Sequence, residues 1–174
     1  LAASAETGST LALALTNGQY GTAALATGVT DNFGIECWVK PGTTSGNQIL
    51  AYNGLRGNGW GLYQAGTAFE VLYGGVIFFG SAQATAGTWT HLALVRNNGV
   101  ATLYTNGVAA STNSNTPLTP SGSFTVGGDA LFGEYFTGAI DEVRVFTFAP
   151  GAFSTNDLSL NSTNLVVSNT NDAG

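Results

Sequence analysis

Methionine is missing from all 174 residues, position 1 included. Translation begins with methionine, so the chain is expected to be processed or excised from a longer one. Removal of an export signal is the favoured reading; excision from a multidomain protein is the rival. The opening Leu1-Ala2-Ala3-Ser4-Ala5 lacks the basic-then-apolar pattern of a retained signal peptide. Charge is scarce too, at 8% of residues against about 25% in an ordinary soluble domain. Four residues are basic (Lys40, Arg56, Arg96 and Arg144) and the net charge is −6. Nucleic-acid binding therefore has no electrostatic footprint, and anionic membranes are disfavoured. No apolar run approaches the roughly 18 residues that span a bilayer, so membrane insertion is not expected. A single cysteine, Cys37, excludes an internal disulfide.

What is present points to a β-protein. Hydrophobic residues make up 44% and aromatics 11%, which excludes a disordered chain. The length suits one domain able to bury about two thirds of its chain surface. Polarity comes from Thr, Asn, Ser and 25 glycines rather than from charge. Asn-Gly pairs recur at 17–18, 53–54, 58–59, 98–99 and 106–107. Such pairs take the positive φ angles of a tight hairpin turn. Between them the sequence predicts strands at 10–16, 19–26, 33–40, 48–53, 60–65, 67–73, 76–82, 89–97, 100–105, 123–127 and 137–147. Segments 112–122 and 149–163 read as loops, the second with one helical turn near 154–158. Leu165-Val166-Val167 reads as a last strand, internal or lent to a neighbour. One domain over 1–174 is expected, with a core at about 10–148 and a tail at 149–174.

Strand alternation sorts some side chains. In 33–40, Phe33, Ile35, Cys37 and Val39 share one face, and Gly34, Glu36, Trp38 and Lys40 the other. The first set reads as core, which makes Cys37 a buried small hydrophobe. Phe78 and Phe79 fall on opposite faces, so one must leave the core. Phe148 and Phe153 raise the same question after the last strand.

Several segments in order resemble one family. Phe33-Gly-Ile-Glu-Cys-Trp-Val-Lys-Pro41, Trp89-Thr-His-Leu-Ala-Leu-Val95, Leu103-Tyr-Thr-Asn-Gly107 and Phe136-Thr-Gly-Ala-Ile-Asp-Glu-Val-Arg-Val-Phe146 resemble strands of the laminin-G-like, concanavalin A-like jelly rolls. Val126-Gly-Gly128 and Leu11-Ala-Leu-Ala-Leu-Thr-Asn-Gly18 fit the same order, so the likeness runs from about residue 10 to 160. It implies an all-β fold, two antiparallel sheets packed as a sandwich. It also implies an exported, non-catalytic module that binds glycans or proteins, some members carrying calcium. Function itself lives in sites grafted on the fold.

The candidate chemistry follows from residue types. Glycoside cleavage needs two carboxylates about 5 to 9.5 Å apart. The Glu-x-Asp-x-x-Glu spacing of catalytic relatives is absent, and alternation sends the adjacent Asp141 and Glu142 to opposite faces. No enzyme is expected. His91, the one histidine, reads as a packed strand residue. For calcium, the resemblance implies Asp141, with partners near the amino end; there the sequence offers Asn17 and Glu6. A sugar site needs an aromatic ring beside planar polar groups. The segment 53–63 offers Arg56, Asn58, Trp60 and Tyr63. A second set, Asp129, Glu134 and Tyr135, lies in the loop before the last long strand. The core is the competing place for Trp60 and Tyr63. Asn161-Ser162-Thr163 is a glycosylation sequon, relevant only in a eukaryotic secretory setting.

Two functions are expected on these grounds. The first is an extracellular recognition module for a glycan or a surface protein. The alternative is a self-assembling subunit of a filament, surface layer or virion, favoured by low charge and by the apolar stretch at 72–80.

Overall fold

The computed structural model describes residues 11–160 apart from 17, 56, 75, 76, 130 and 132. The sequon at 161 and the expected strand at 165–167 lie outside the described residues. Twelve strands follow in chain order. They are β1 (Leu13–Leu15), β2 (Gly21–Ala24), β3 (Phe33–Pro41), β4 (Asn47–Leu55), β5 (Asn58–Ala65) and β6 (Ala68–Tyr73). Then come β7 (Ile77–Gln83), β8 (Thr90–Asn97), β9 (Val100–Thr105), β10 (Val108–Asn113), β11 (Ser123–Val126) and β12 (Gly138–Thr147). One 3₁₀ turn follows at Thr155–Asp157, capped by Ser154.

The strands form two antiparallel sheets of six. The first runs β1-β12-β3-β8-β9-β10 and the second β2-β11-β4-β5-β6-β7. Their facing sides make one core. Phe33, Ile35, Cys37 and Val39 of β3 all point into it, as alternation predicts. Leu92, Leu94, Leu103 and Ile140 join them from the first sheet; Leu62, Phe69, Val71 and Phe79 face them from the second. At the centre, Phe33 stacks on Trp60 with ring centroids 3.9 Å apart and planes 11° off parallel. Phe79 enters the core while Phe78 stays 42% exposed, leaning on Tyr63 outside the second sheet.

The turns sort the Asn-Gly pairs. Asn98 and Asn106 have φ near +50°, with Gly99 and Gly107 near +80°, the paired positive angles of tight hairpins. Asn53-Gly54 and Asn58-Gly59 are not turns. They lie inside β4 and β5, with Gly54 directly opposite Gly59. A Cβ on Gly54 would sit 2.4 Å from the Asn58 carbonyl oxygen, so the two backbones approach too closely for any side chain. Asn53 is buried because its amide is a tether: Oδ1 accepts from the Ala26 N–H at 3.0 Å and Nδ2 donates to the Thr27 carbonyl at 2.8 Å.

β12 breaks the alternation expected at Asp141 and Glu142. The register slips by one residue between Asp141 and Arg144, and Glu142 has φ +50°. This bulge lets Ile140, Val143 and Val145 all reach the core. β10 was not foreseen. Its residues Val108-Ala-Ala-Ser-Thr-Asn113 are small, polar or exposed, as suits a sheet edge.

Candidate functional site

The sequence offers two aromatic-polar sets, and the fold places them apart. β4 sets the scale. Leu55, at its end, packs where a Cβ on Gly122 would be. Leu50, about 17 Å back along the strand, accepts the Gly127 N–H through its carbonyl at 2.8 Å. Leu55 and Asn58 therefore sit at one end of the second sheet, and Gly127 at the other.

The first set does not form a platform. Trp60 is fully buried and its indole N–H donates to the Val29 carbonyl at 3.0 Å. Tyr63 is 1% exposed. Both are packing residues, a correction to their reading as sugar-stacking rings. Trp60 has the same strand parity as the core residue Leu62, so the pleat drives it inward. Asn58 is half-buried at the far tip and donates from Nδ2 to Ser121 Oγ at 2.6 Å. Arg56 lies outside the described residues.

The second set builds a surface. Gly127, at φ +80°, turns the chain out of β11. Asp129 and Glu134 are nearly buried and hold the loop from within. Asp129 Oδ1 accepts from the Leu131 N–H at 2.6 Å, and its carbonyl accepts from Gly133. Glu134 Oε1 accepts from the Tyr63 hydroxyl at 2.8 Å, and its carbonyl accepts from Ile49. These carboxylates shape the loop from behind rather than facing solvent. Thr137 N–H closes the loop on Gln48 Oε1 at 2.9 Å.

That scaffold presents Tyr135, half-buried, against Tyr20, which is 37% exposed. The ring centroids are 5.9 Å apart and tilted by 35°. Gly128 makes the approach possible, since a Cβ there would lie 2.7 Å from the Tyr135 ring and 3.2 Å from Tyr20 Cβ. Beside the pair is a surface concavity lined by residues 13–15 and 18–21. Leu15 closes it from below by packing on Gly127. The arrangement offers ring faces, two phenolic hydroxyls and the Gln19 amide, which is itself steadied by Thr16 at 2.9 to 3.0 Å. Tyr20 escaped the sequence reading. Its signal was its place just past a predicted turn, in a segment read only as strand.

Toward a cation, Asp141 is the member of the expected set that the structure describes. Its Oδ1 accepts from the Glu142 N–H at 3.0 Å. Asn17 and Glu6 lie outside the described residues. No group of three His, Cys, Asp or Glu side chains that could hold a metal occurs among the described residues. His91 is buried with Nε2 3.2 Å from Glu36. Burial, and then the Glu36 charge, push the Cys37 thiol far above its ordinary range, so it is an inert core residue. No helix among the described residues is long and apolar enough to cross a membrane.

Comparison with known proteins agrees with this architecture. A family model described as the concanavalin A-like lectin/glucanases superfamily matches residues 15–152. Among solved structures, the chain is similar to domain 4 of AbnA, an extracellular arabinanase from Geobacillus stearothermophilus, in complex with arabinotriose. The identity is 22% and the TM-score 0.66, covering 87% of this chain and 76% of that one. It is similar to the CBM40 of a Ruminococcus gnavus sialidase bound to sialyllactose, at 16% identity and TM-score 0.64, covering 84% and 94%. The botulinum neurotoxin serotype D binding domain matches at 15% identity and TM-score 0.62, covering 84% of this chain and 40% of that one. No match is found among curated proteins.

Proposed function

Given that the chain belongs to the concanavalin A-like lectin/glucanases superfamily, we propose that it is a non-catalytic, exported recognition module that binds a glycan at the Tyr20–Tyr135 pair. The observation that carries the reading is that pair itself: Tyr135 on a braced loop, packed against Tyr20 at the rim of an open concavity. Sugar C–H faces stack on such rings, and their hydroxyls seek the flanking phenol and amide groups. The solved structures it resembles include modules bound to arabinotriose and to sialyllactose.

Charge narrows the class to neutral sugars. Arg96 and Arg144 are committed to Asp31 and Glu36. Among the described residues Lys40 is the remaining cation, and it belongs to the outer side of β3. An anionic sugar would meet a chain of net charge −6, which works against its approach. Glycan binding by the wild type and by Tyr20→Ala and Tyr135→Ala variants tests the proposal. Calcium enters the reading through Asp141. A lower Tm on adding a chelator would support it, and an unchanged Tm would remove it.

A further inference from the structure

The outer face of the first sheet is covered over β12, β3 and β8 by this chain's own segment that follows β12. After β12 the chain turns at 149–152, where the Ala152 N–H donates to the Ala149 carbonyl at 2.9 Å. It then runs back across the sheet as a strap, residues 153–160. Phe153, Leu158 and Leu160 join Ala93, Val95, Tyr104 and Phe146 in a separate apolar cluster. Between them the strap is held by its main chain. The Ser159 N–H donates to Glu36 Oε2 at 3.2 Å, and the Ser159 carbonyl accepts from the Trp38 indole at 3.3 Å. The Asp157 carbonyl accepts from the Arg144 guanidinium. Glu36, fully buried, is itself fixed by Arg144 Nε at 2.5 Å and His91 Nε2 at 3.2 Å. The family match ends at residue 152, so the strap lies beyond the shared stretch.

An acceptor and a donor aimed at the main chain of one residue, Ser159, a guanidinium on the Asp157 carbonyl and an apolar seat for Leu158 together make a site for a peptide main chain. We infer that the outer face of the first sheet is a peptide-binding site, filled in cis by residues 153–160, that accepts the same segment from a second copy of this chain. Exchange keeps the contacts of residues 153–160 and gives up those of the turn, the Ala152 N–H on the Ala149 carbonyl and the Gly151 N–H on Asn97 Oδ1 at 3.0 Å. Only the 149–152 turn must change, and it holds Pro150 and a Gly151 at φ +75°. Swapping an identical element in this way is a low-cost route to a dimer. The inference does not depend on the glycan site, which lies on other strands.

The test uses the full chain with a specific protease site placed in the 149–152 turn. The protein is folded intact and then cut, and a fluorescent peptide of residues 150–160 is added. Cut protein should take up the peptide saturably. Uncut protein should not, because its tethered strap competes at an effective concentration of order millimolar. Glu36→Gln should weaken uptake about tenfold or more, and Trp38→Phe, which keeps the ring but loses the N–H, several-fold. Absent uptake, or uptake indifferent to both substitutions, would overturn the site. Wild-type protein held concentrated just below its Tm should also yield dimer by light scattering; a strictly monomeric chain there would overturn exchange between copies.

Discussion

The Tyr63 hydroxyl donates to Oε1 of Glu134 at 2.8 Å and so ties β5 to the loop that carries Tyr135. The two residues fall in different binding sets when read from sequence. In the fold they are one buried brace. Tyr63→Phe removes the donor and leaves the ring. A hydrogen bond to a charged group contributes about 1.5–3 kcal/mol, so urea unfolding should show a loss of about 1–3 kcal/mol. A change below about 0.5 kcal/mol would mean that the brace does not hold the loop.

Trp60 is expected to matter for folding and not for binding. Its ring lies on Phe33 in the centre of the sandwich. Truncating a buried aromatic costs about 3–5 kcal/mol. Trp60→Ala should therefore drop Tm sharply or abolish folding, while Trp60→Phe keeps ligand affinity within about twofold. A folded, stable Trp60→Ala protein with lost binding would reverse that assignment.

Glu36 makes stability depend on acid. Burial pushes its carboxyl up, but the His91 hydrogen bond, the Arg144 and His91 charges and the Ser159 N–H together outweigh burial and hold it below its ordinary 4.5. A carboxyl lowered by folding stabilises fully above its ordinary value, and that stabilisation is lost as pH falls through its folded value. Urea midpoints of the wild type should thus decline below about pH 4.5. In Glu36→Gln this part of the decline should vanish, from a lower starting stability. Parallel pH profiles for the two proteins would contradict the role given to Glu36.

Much of the fold was legible because alternation and turn chemistry are local. The faces of β3 follow from Phe33, Ile35, Cys37 and Val39, and the hairpins at Asn98 and Asn106 follow from their glycines. Other features needed partners that a single segment does not display. Gly54 and Gly59 resemble turn residues until their strands are paired. The β12 bulge shows only once Ile140 and Val145, of opposite parity, are both found against the core. The site was less legible still. Tyr20 and Tyr135 are separated by more than a hundred residues and meet only because β2 pairs with β11, Gly21 opposite Val126. Glu36 on its exposed-looking face gave no hint of the strap that buries it.

The Tyr20–Tyr135 pair is proposed to bind a neutral glycan. The direct measurement is a glycan array with the full chain, followed by titration calorimetry on the best hit. Tyr20→Ala and Tyr135→Ala are measured beside the wild type. Neutral oligosaccharides should bind in preference to sialylated ones. Loss of one stacking ring should weaken binding about tenfold or more, taking about 1.4 kcal/mol per factor of ten, with little change in Tm for the exposed Tyr20. Binding that survives both substitutions, or that prefers anionic sugars, would contradict the proposal.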